Sequence, residues 1–160
     1  MKTLIVLRHA KTESSHPGGD HNRALTARGK RDAAASAESL VEQGLSPDLI
    51  LSSTAVRAVQ TAEIAAEAFQ AAPRLLQDHD IYLASAETIL EVVHILDPGV
   101  DVVVLVGHNP GLLDFINLLI DEGSGRESLP TSAYAVVESD GARWDDISPG
   151  SARVSPIVIP

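Results

Sequence analysis

The chain alternates between short continuous runs of apolar residues and longer segments in which apolar residues recur every three or four positions. The short runs are typical of strands buried on both faces of a sheet, and the longer period is typical of amphipathic helices. The pattern predicts strands at residues 3–7, 49–51 and 101–106, helices at 28–43, 55–69, 85–96 and 111–120, and a β-hairpin at 133–138 and 143–147 around Asp140-Gly141. Strands that alternate with helices in this way indicate an α/β protein.

Residues with special backbone preferences stand at the ends of the predicted helices. Thr26 is a candidate N-cap and Gly44 a candidate terminator for the helix at 28–43, while Pro110 precedes the helix at 111–120. Because successive β–α units place helices on both faces of a mostly parallel sheet, we expect a three-layer α/β/α sandwich with a C-terminal β-hairpin. The 160 residues hold no internal repeat and suffice for a core, so we expect a single domain over residues 1–160.

The composition excludes several kinds of site and partner. No cysteine is present, which excludes thiolate zinc sites, iron–sulfur clusters and cysteine nucleophiles. The net charge of −10 argues against a nucleic-acid or anionic-membrane partner, since both need a basic surface. The apolar runs stay far below the ~18 residues of a membrane span, and the stretch after Met1 lacks a signal-peptide pattern, so we expect a cytoplasmic protein. Nine of the twelve Lys and Arg residues lie in residues 1–80, so we expect this half to supply most of any anion site.

Basic and imidazole side chains follow three of the predicted strands. Ligands of open parallel sheets bind outside the carboxyl ends of the strands. Arg8 and His9 follow the first strand, Arg57 comes shortly after the second, and His108 follows the strand at 101–106. If these strands are neighbours in the sheet, two histidines and two arginines meet at one edge.

This set of side chains suits phosphoryl transfer. Guanidinium groups are planar, permanently charged donors that match phosphoryl oxygens, and a neutral imidazole is a competent nucleophile at neutral pH. A second histidine, protonated by the local anion, would donate a hydrogen bond to the group in transfer and stabilise its charge. Each residue alone has a common structural explanation, such as a strand-to-helix turn or a solvated arginine on a helix. Together they predict a phosphoryl-transfer site that uses neither a metal nor a cofactor.

Four motifs carry a family resemblance. They read LRHAK at 7–11, LTARG at 25–29, SSTAVRAVQTA at 52–62 and VGHNP at 106–110. In this order the motifs resemble those of the histidine phosphatase superfamily, and the small size and the RHAK opening are similar to its SixA-like phosphohistidine phosphatase branch. The resemblance implies that His9 is the nucleophile that becomes phosphohistidine. It also implies that Arg8 and Arg57 bind the phosphoryl oxygens and that His108 completes the site.

The resemblance also points to the loop before the first helix. Arg23 matches an arginine that often precedes a Pro-Leu-Thr sequence in this branch, where it would contact phosphate. Ala24 stands here where proline is usual. The loop geometry around Arg23 is therefore expected to depart from the pattern of the branch.

The general acid has no clear counterpart in the sequence. Larger relatives place a glutamate after the third strand, and the matching stretch at 80–84 reads DIYLA without one. Asp20, in the same loop as Arg23, is our first candidate for the proton donor, with Glu13 and Glu87 as alternatives. A solvated surface position is an equally ordinary explanation for each of the three carboxylates.

Four further histidines have no predicted role. His16 and His21 lie in a glycine-containing loop, but their spacing does not match a metal site, and His79 and His94 have no predicted partner. We therefore assign no metal ligands.

The sequence favours a metal-independent phosphatase that acts on phosphohistidine through a phospho-His9 intermediate. The expected partner is a phosphorylated protein, such as a phosphohistidine-bearing signalling protein. Residues 81–101 hold only one predicted helix, which leaves little chain for a lid, and an open site favours a phosphoryl group displayed on a protein. The alternatives are a small-molecule phosphate-ester phosphatase of the same superfamily and a non-catalytic phosphate-binding module.

Overall fold

One six-stranded sheet organises the structure, a computed structural model that describes residues 1–120 and 125–160. Its strands are β1 (Lys2–Arg8), β2 (Leu49–Ser52), β3 (Arg74–Gln77), β4 (Val102–Gly107), β5 (Tyr134–Ser139) and β6 (Arg153–Val154). The longer helices are α1 (Ala27–Glu42), α2 (Val56–Ala66), α3 (Ala86–His94) and α4 (Gly111–Leu119). Short 3₁₀ helices lie at Asp20–Asn22, His79–Ile81 and Trp144–Asp146.

The strand order is β3-β2-β4-β1-β5-β6. β4 pairs in parallel with β1 and β2, and β2 pairs in parallel with β3, while β5 runs antiparallel to both β1 and β6. The predicted mostly parallel sheet is therefore confirmed. Arg8 pairs with Gly107 across β1 and β4, and Ser52 pairs with Val106 across β2 and β4. The three strands that precede the predicted site residues are neighbours, and their carboxyl ends are level.

Helices cover both faces of the sheet, as predicted. Leu4 and Val6 of β1 belong to a core that α3 and α4 complete, and Ile5 and Leu7 belong to a core that α1 and α2 complete. This alternation follows from the pleat, since successive side chains of a strand point to opposite faces. The result is the expected α/β/α sandwich.

Most predicted boundaries are confirmed. The side chain of Thr26 accepts a hydrogen bond from Gly29 N at 3.0 Å as the N-cap of α1, and Gly44 follows that helix with a φ of 75°. α2 ends three residues earlier than predicted, at Ala66. β3 was not predicted, because it is a short edge strand whose side chains are exposed, so it lacks the buried apolar run of the other strands.

The prediction for the second strand of the C-terminal hairpin is wrong. Residues 143–147 hold a 3₁₀ turn, in which Arg143 N donates to Asp146 Oδ2 at 2.9 Å and the buried Trp144 donates to Val100 O at 3.1 Å. The predicted C-terminal hairpin is present, with β6 as its second strand beside β5, and Arg153 binds Asp140 with a shortest N–O distance of 2.7 Å. A tryptophan that packs under the sheet therefore displaces the pairing to a later segment.

Within residues 1–120 and 125–160, no helix combines the length and apolar character needed to cross a membrane.

Candidate active site

The ends of β1 and β4 bring two imidazoles together. His9 N donates to Gly107 O at 3.1 Å, and His108 is the residue after Gly107. The two side chains are buried, with 6% and 4% exposure, and their ring centroids lie 5.2 Å apart. The structure therefore brings His9 and His108 together at one edge of the sheet, as predicted.

His9 is held in one tautomer by its neighbour. Its Nδ1 lies 2.8 Å from Ala10 O, and since a carbonyl oxygen only accepts, Nδ1 carries the proton and Nε2 carries the free lone pair. Burial lowers the pKa of His9 to about 4, with a further contribution from the charges of Arg57 and Arg8. At neutral pH the imidazole is therefore uncharged and nucleophilic at Nε2.

His108 has one satisfied and one unsatisfied ring nitrogen. Its Nε2 lies 2.8 Å from the buried Ser53 Oγ, while Nδ1 is buried with no hydrogen-bond partner among the described residues. Burial lowers the pKa of His108 to about 3, and the neighbouring His9 and Arg57 lower it further. In the free protein His108 is therefore neutral, and the protonation that we expected for it depends on an anion beside it. Ser53 is a site residue to which the sequence analysis gave no role, although it lies in the third motif.

Arg57, in the first turn of α2, is one of the two guanidinium groups at the site. Its side chain is only 2% exposed, which excludes the solvated helix position. Nη1 donates to Asp20 O at 2.9 Å and Nη2 donates to Asp20 Oδ2 at 3.1 Å, while Nε has no partner among the described residues. A buried cation with an unused donor is an incomplete anion site.

Arg8 is the second cation. Its Nη1 donates to Leu129 O at 3.2 Å, and its Nε is buried without a partner in the described part of the chain. Burial and the charge of Arg57 lower the pKa of Arg8, which reflects two guanidinium groups held close together. An anion between them would relieve this repulsion.

Asp20 accepts hydrogen bonds from three different segments. Oδ2 accepts from the Tyr82 hydroxyl at 2.6 Å and from Arg57, and Oδ1 accepts from Arg23 Nε at 3.0 Å. The bond from Tyr82, followed by those from Arg57 and Arg23, lowers the pKa of Asp20 to about 2. Asp20 is therefore ionised at neutral pH, and in this arrangement it lacks the proton that the predicted donor role requires.

The other predicted loop residues occupy different positions. Arg23 Nη1 donates to Thr12 Oγ1 at 3.0 Å and to Glu13 O at 2.9 Å, so Arg23 connects the loop to the carboxylate of Asp20. Glu13 Oε2 accepts from Ala24 N at 3.3 Å, and Glu87 is exposed in the first turn of α3. Arg23 therefore belongs to the hydrogen-bond network around Asp20. Of the two alternative acids, Glu13 binds the loop backbone and Glu87 is exposed.

A glycine at the start of α4 permits a close backbone contact behind the site. A Cβ on Gly111 would lie 2.0 Å from Ala84 O, so only glycine allows this approach. The contact ties the helix that follows His108 to the segment that carries Tyr82. Tyr82 was not predicted as a site residue. The available signal was its position within residues 80–84, the stretch that matches the glutamate of larger relatives.

Known proteins resemble this chain in sequence and in fold. The family described as histidine phosphatase superfamily (branch 1) matches residues 4–79, which include Arg8, His9, Asp20, Arg23 and Arg57. A structure assigned as phosphohistidine phosphatase SixA from Agrobacterium tumefaciens is 30% identical, with a TM-score of 0.84 over 99% of this chain and 98% of that chain. The chain belongs to the histidine phosphatase superfamily. His108 lies beyond the matched residues, and the sheet brings it to His9.

Two further relatives extend the comparison of this histidine phosphatase superfamily member. The uncharacterised protein Rv1276c of Mycobacterium tuberculosis is 32% identical over 96% of this chain and 99% of its own length. A structure assigned as SixA from Nakamurella multipartitia is 25% identical, with a TM-score of 0.87 over 99% of this chain and 96% of that chain. The similarity therefore covers nearly the full length, and membership of the superfamily supports a phosphatase.

Proposed function

We propose that this protein is a phosphatase that hydrolyses phosphohistidine on a protein substrate through a phospho-His9 intermediate. One observation carries the proposal: a neutral imidazole with a free Nε2 lies beside a second imidazole and two guanidinium groups with unused donors. These are a nucleophile and a binding site for the phosphoryl group it attacks. The likeness to structures assigned as SixA supports the choice of phosphohistidine.

The reaction needs two displacements at phosphorus. In the first, Nε2 of His9 attacks the phosphoryl group, the P–N bond to the substrate breaks, and the substrate imidazole leaves. In the second, water attacks phosphorylated His9, the new P–N bond breaks, and inorganic phosphate and free His9 result. Arg8 and Arg57 bind the phosphoryl oxygens in both steps, and His108 donates a hydrogen bond from Nδ1 when Ser53 donates to Nε2.

The ionised state of Asp20 favours a substrate with an activated leaving group. A serine or sugar phosphate must expel an alkoxide unless an acid protonates it, and Asp20 is ionised. Phosphohistidine protonated on its free ring nitrogen leaves as neutral imidazole, whose conjugate acid has a pKa of roughly 6.5. General acid catalysis is typically worth on the order of 10²–10⁴ in rate, so alkyl phosphates are expected to be slower by about this factor.

A substrate panel tests the proposal. Turnover of a phosphohistidine peptide, an aryl phosphate and a sugar phosphate is measured in EDTA, and brief incubation with the labelled peptide is followed by acid and base treatment. We expect the peptide and the aryl phosphate to be hydrolysed and acid-labile phosphate to appear on His9. His9→Ala should lose both turnover and label, while His16→Ala, a change at an exposed histidine, should keep both.

Each other outcome has a defined meaning. Similar kcat/KM for the peptide and the sugar phosphate would favour the small-molecule phosphatase. Phosphate binding without turnover of any substrate would favour the non-catalytic binding module. Label that persists in His9→Ala would exclude His9 as the nucleophile.

A further inference from the structure

A series of rings leads outward from His108. Tyr82 meets His108 edge-to-face, with ring centroids 5.5 Å apart, and its centroid lies 6.0 Å from Arg57 Cζ. His21 and His79 lie 4.8 and 5.6 Å from the Tyr82 ring, and their centroids are 5.9 Å apart. The series passes from the buried His108 to the exposed His79, so it connects the candidate phosphoryl site to the surface.

Tyr82 is one of the few aromatic residues of the chain, and its location differs from that of the others. The chain holds five Phe, Trp and Tyr residues, and the other four are buried, at 69, 115, 134 and 144. Tyr82 alone is partly exposed, and it lies at the mouth of the site rather than in a core. A partly exposed aromatic ring beside a reacting group can stack with a ligand ring, because ring pairs are favourable at centroid separations of roughly 4.5–7 Å.

The rings are held in place by polar contacts. Thr54 Oγ1 lies 2.9 Å from His21 Nε2 and 2.7 Å from His79 Nδ1, and the Tyr82 hydroxyl donates to Asp20 at 2.6 Å. Leu83, directly after Tyr82, has a φ of 50°, a left-handed conformation that costs a non-glycine residue about 1–3 kcal/mol. Fixed orientation and local strain are typical of residues organised for binding rather than of a solvated surface.

We propose that Tyr82, His21 and His79 form a subsite for the leaving group, specific for planar rings such as imidazole and phenyl. This inference rests on the proposed phosphoryl site at His9, which places the transferred group beside Tyr82. The subsite selects substrates by ring contact and not by proton donation, since the hydrogen bond to Asp20 raises the pKa of Tyr82 and keeps its proton in place.

Two non-hydrolysable ligands test the subsite without turnover. Phenylphosphonate and methylphosphonate share the phosphoryl end and differ by the ring, and their affinities are compared by calorimetry. We expect the parent protein to bind the phenyl compound about three- to tenfold more tightly. Tyr82→Ala should abolish this preference. Tyr82→Phe, which loses the same hydrogen bond to Asp20 but keeps the ring, should retain it, as should His16→Ala.

The possible results separate the two proposals. Equal affinities in the parent protein, a preference that survives Tyr82→Ala, or an equal loss in Tyr82→Phe would each overturn the ring subsite. No binding of either phosphonate would overturn the subsite together with the phosphoryl site. An intact ring preference in a protein that hydrolyses no substrate would overturn only the proposed hydrolysis.

Discussion

The carboxylate of Asp20 accepts a hydrogen bond of 3.1 Å from Nη2 of Arg57, one of the two guanidinium groups that we propose to bind the phosphoryl group. The same carboxylate also binds Tyr82 and Arg23. An internal anion thus uses donors that an incoming phosphoryl group needs. Substrate must displace Asp20 or bind beside its negative charge.

We therefore expect Asp20→Asn to bind vanadate and inorganic phosphate more tightly, on the order of tenfold, because the change removes a competing anion and keeps the side-chain size. Competitive inhibition measures the effect. Asp32→Asn, which alters the exposed pair with Arg28 on α1, is the matched control and should change nothing. Weaker anion binding in Asp20→Asn, or a selective loss of alkyl phosphate turnover, would instead support Asp20 as a direct participant.

Replacement of Arg57 by alanine should lower kcat/KM. The loss of transition-state binding should be roughly 1.5–3 kcal/mol, the range for hydrogen bonds to charged groups. Arg57→Lys should recover only part of the loss, because an ammonium group cannot donate two parallel bonds. Circular dichroism checks the fold, since Arg57 is buried. Arg28→Ala, at an exposed arginine, should keep full activity, and equal efficiency of Arg57→Ala and the parent would remove Arg57 from the site.

The pKa values of the two site histidines predict a pH response. The pKa of His9 is lowered to about 4 and that of His108 to about 3, so both rings stay neutral from pH 5 to 8 in the free protein. Bound phosphate, an anion, should raise both pKa values. Nitrogen chemical shifts of the imidazoles, followed from pH 4 to 8 with and without phosphate, measure this, and a free-protein titration of His9 near pH 6.5 would contradict it.

The same shifts predict lower stability in acid. In the unfolded chain these histidines take up protons near pH 6.5, whereas in the folded chain they do so near pH 4 and 3. The unfolded state therefore binds more protons between these values, and their contribution to the free energy of unfolding falls as pH drops from 6.5 toward 3. Urea denaturation at pH 7 and pH 5 checks this, and His108→Gln should show a smaller drop.

Ser53→Ala should leave Nε2 of His108 buried without a partner, at a cost of about 1–3 kcal/mol in the free energy of unfolding. It should also lower kcat more than it raises KM, because the ring loses the contact that orients it. Ser36→Ala is the matched control, since Ser36 is likewise buried and donates to Ser132 O at 2.7 Å. That variant should lose stability and keep kcat, and an equal fall in kcat for both would reduce Ser53 to a structural role.

The sequence predicted the parts of the site that follow directly from strand order. Arg8 is the last residue of β1, and His9 and His108 directly follow β1 and β4, so a rule about strand ends suffices to place them together. The surroundings of Asp20 could not be predicted, because its contact with Tyr82 joins residues 62 positions apart and depends on how two loops fold over the edge. The second strand of the hairpin was misplaced for a similar reason, since the burial of Trp144 against Val100 is a tertiary contact with no local signal.

The location of β1 divides the site into two parts with different protection from hydrogen exchange. β1 lies between β4 and β5, and the amide of His9 donates to Gly107 O at the end of β4 at 3.1 Å. Residues 13–20, which lead to the carboxylate that contacts Arg57, are all exposed. The amide of His9 is therefore expected to exchange only when the whole sheet opens, while the loop exchanges through local opening. Ligand binding would then slow amide exchange in the loop more than at His9. Part of the free energy of ligand binding would order residues 13–20 around a nucleophile that is already rigid.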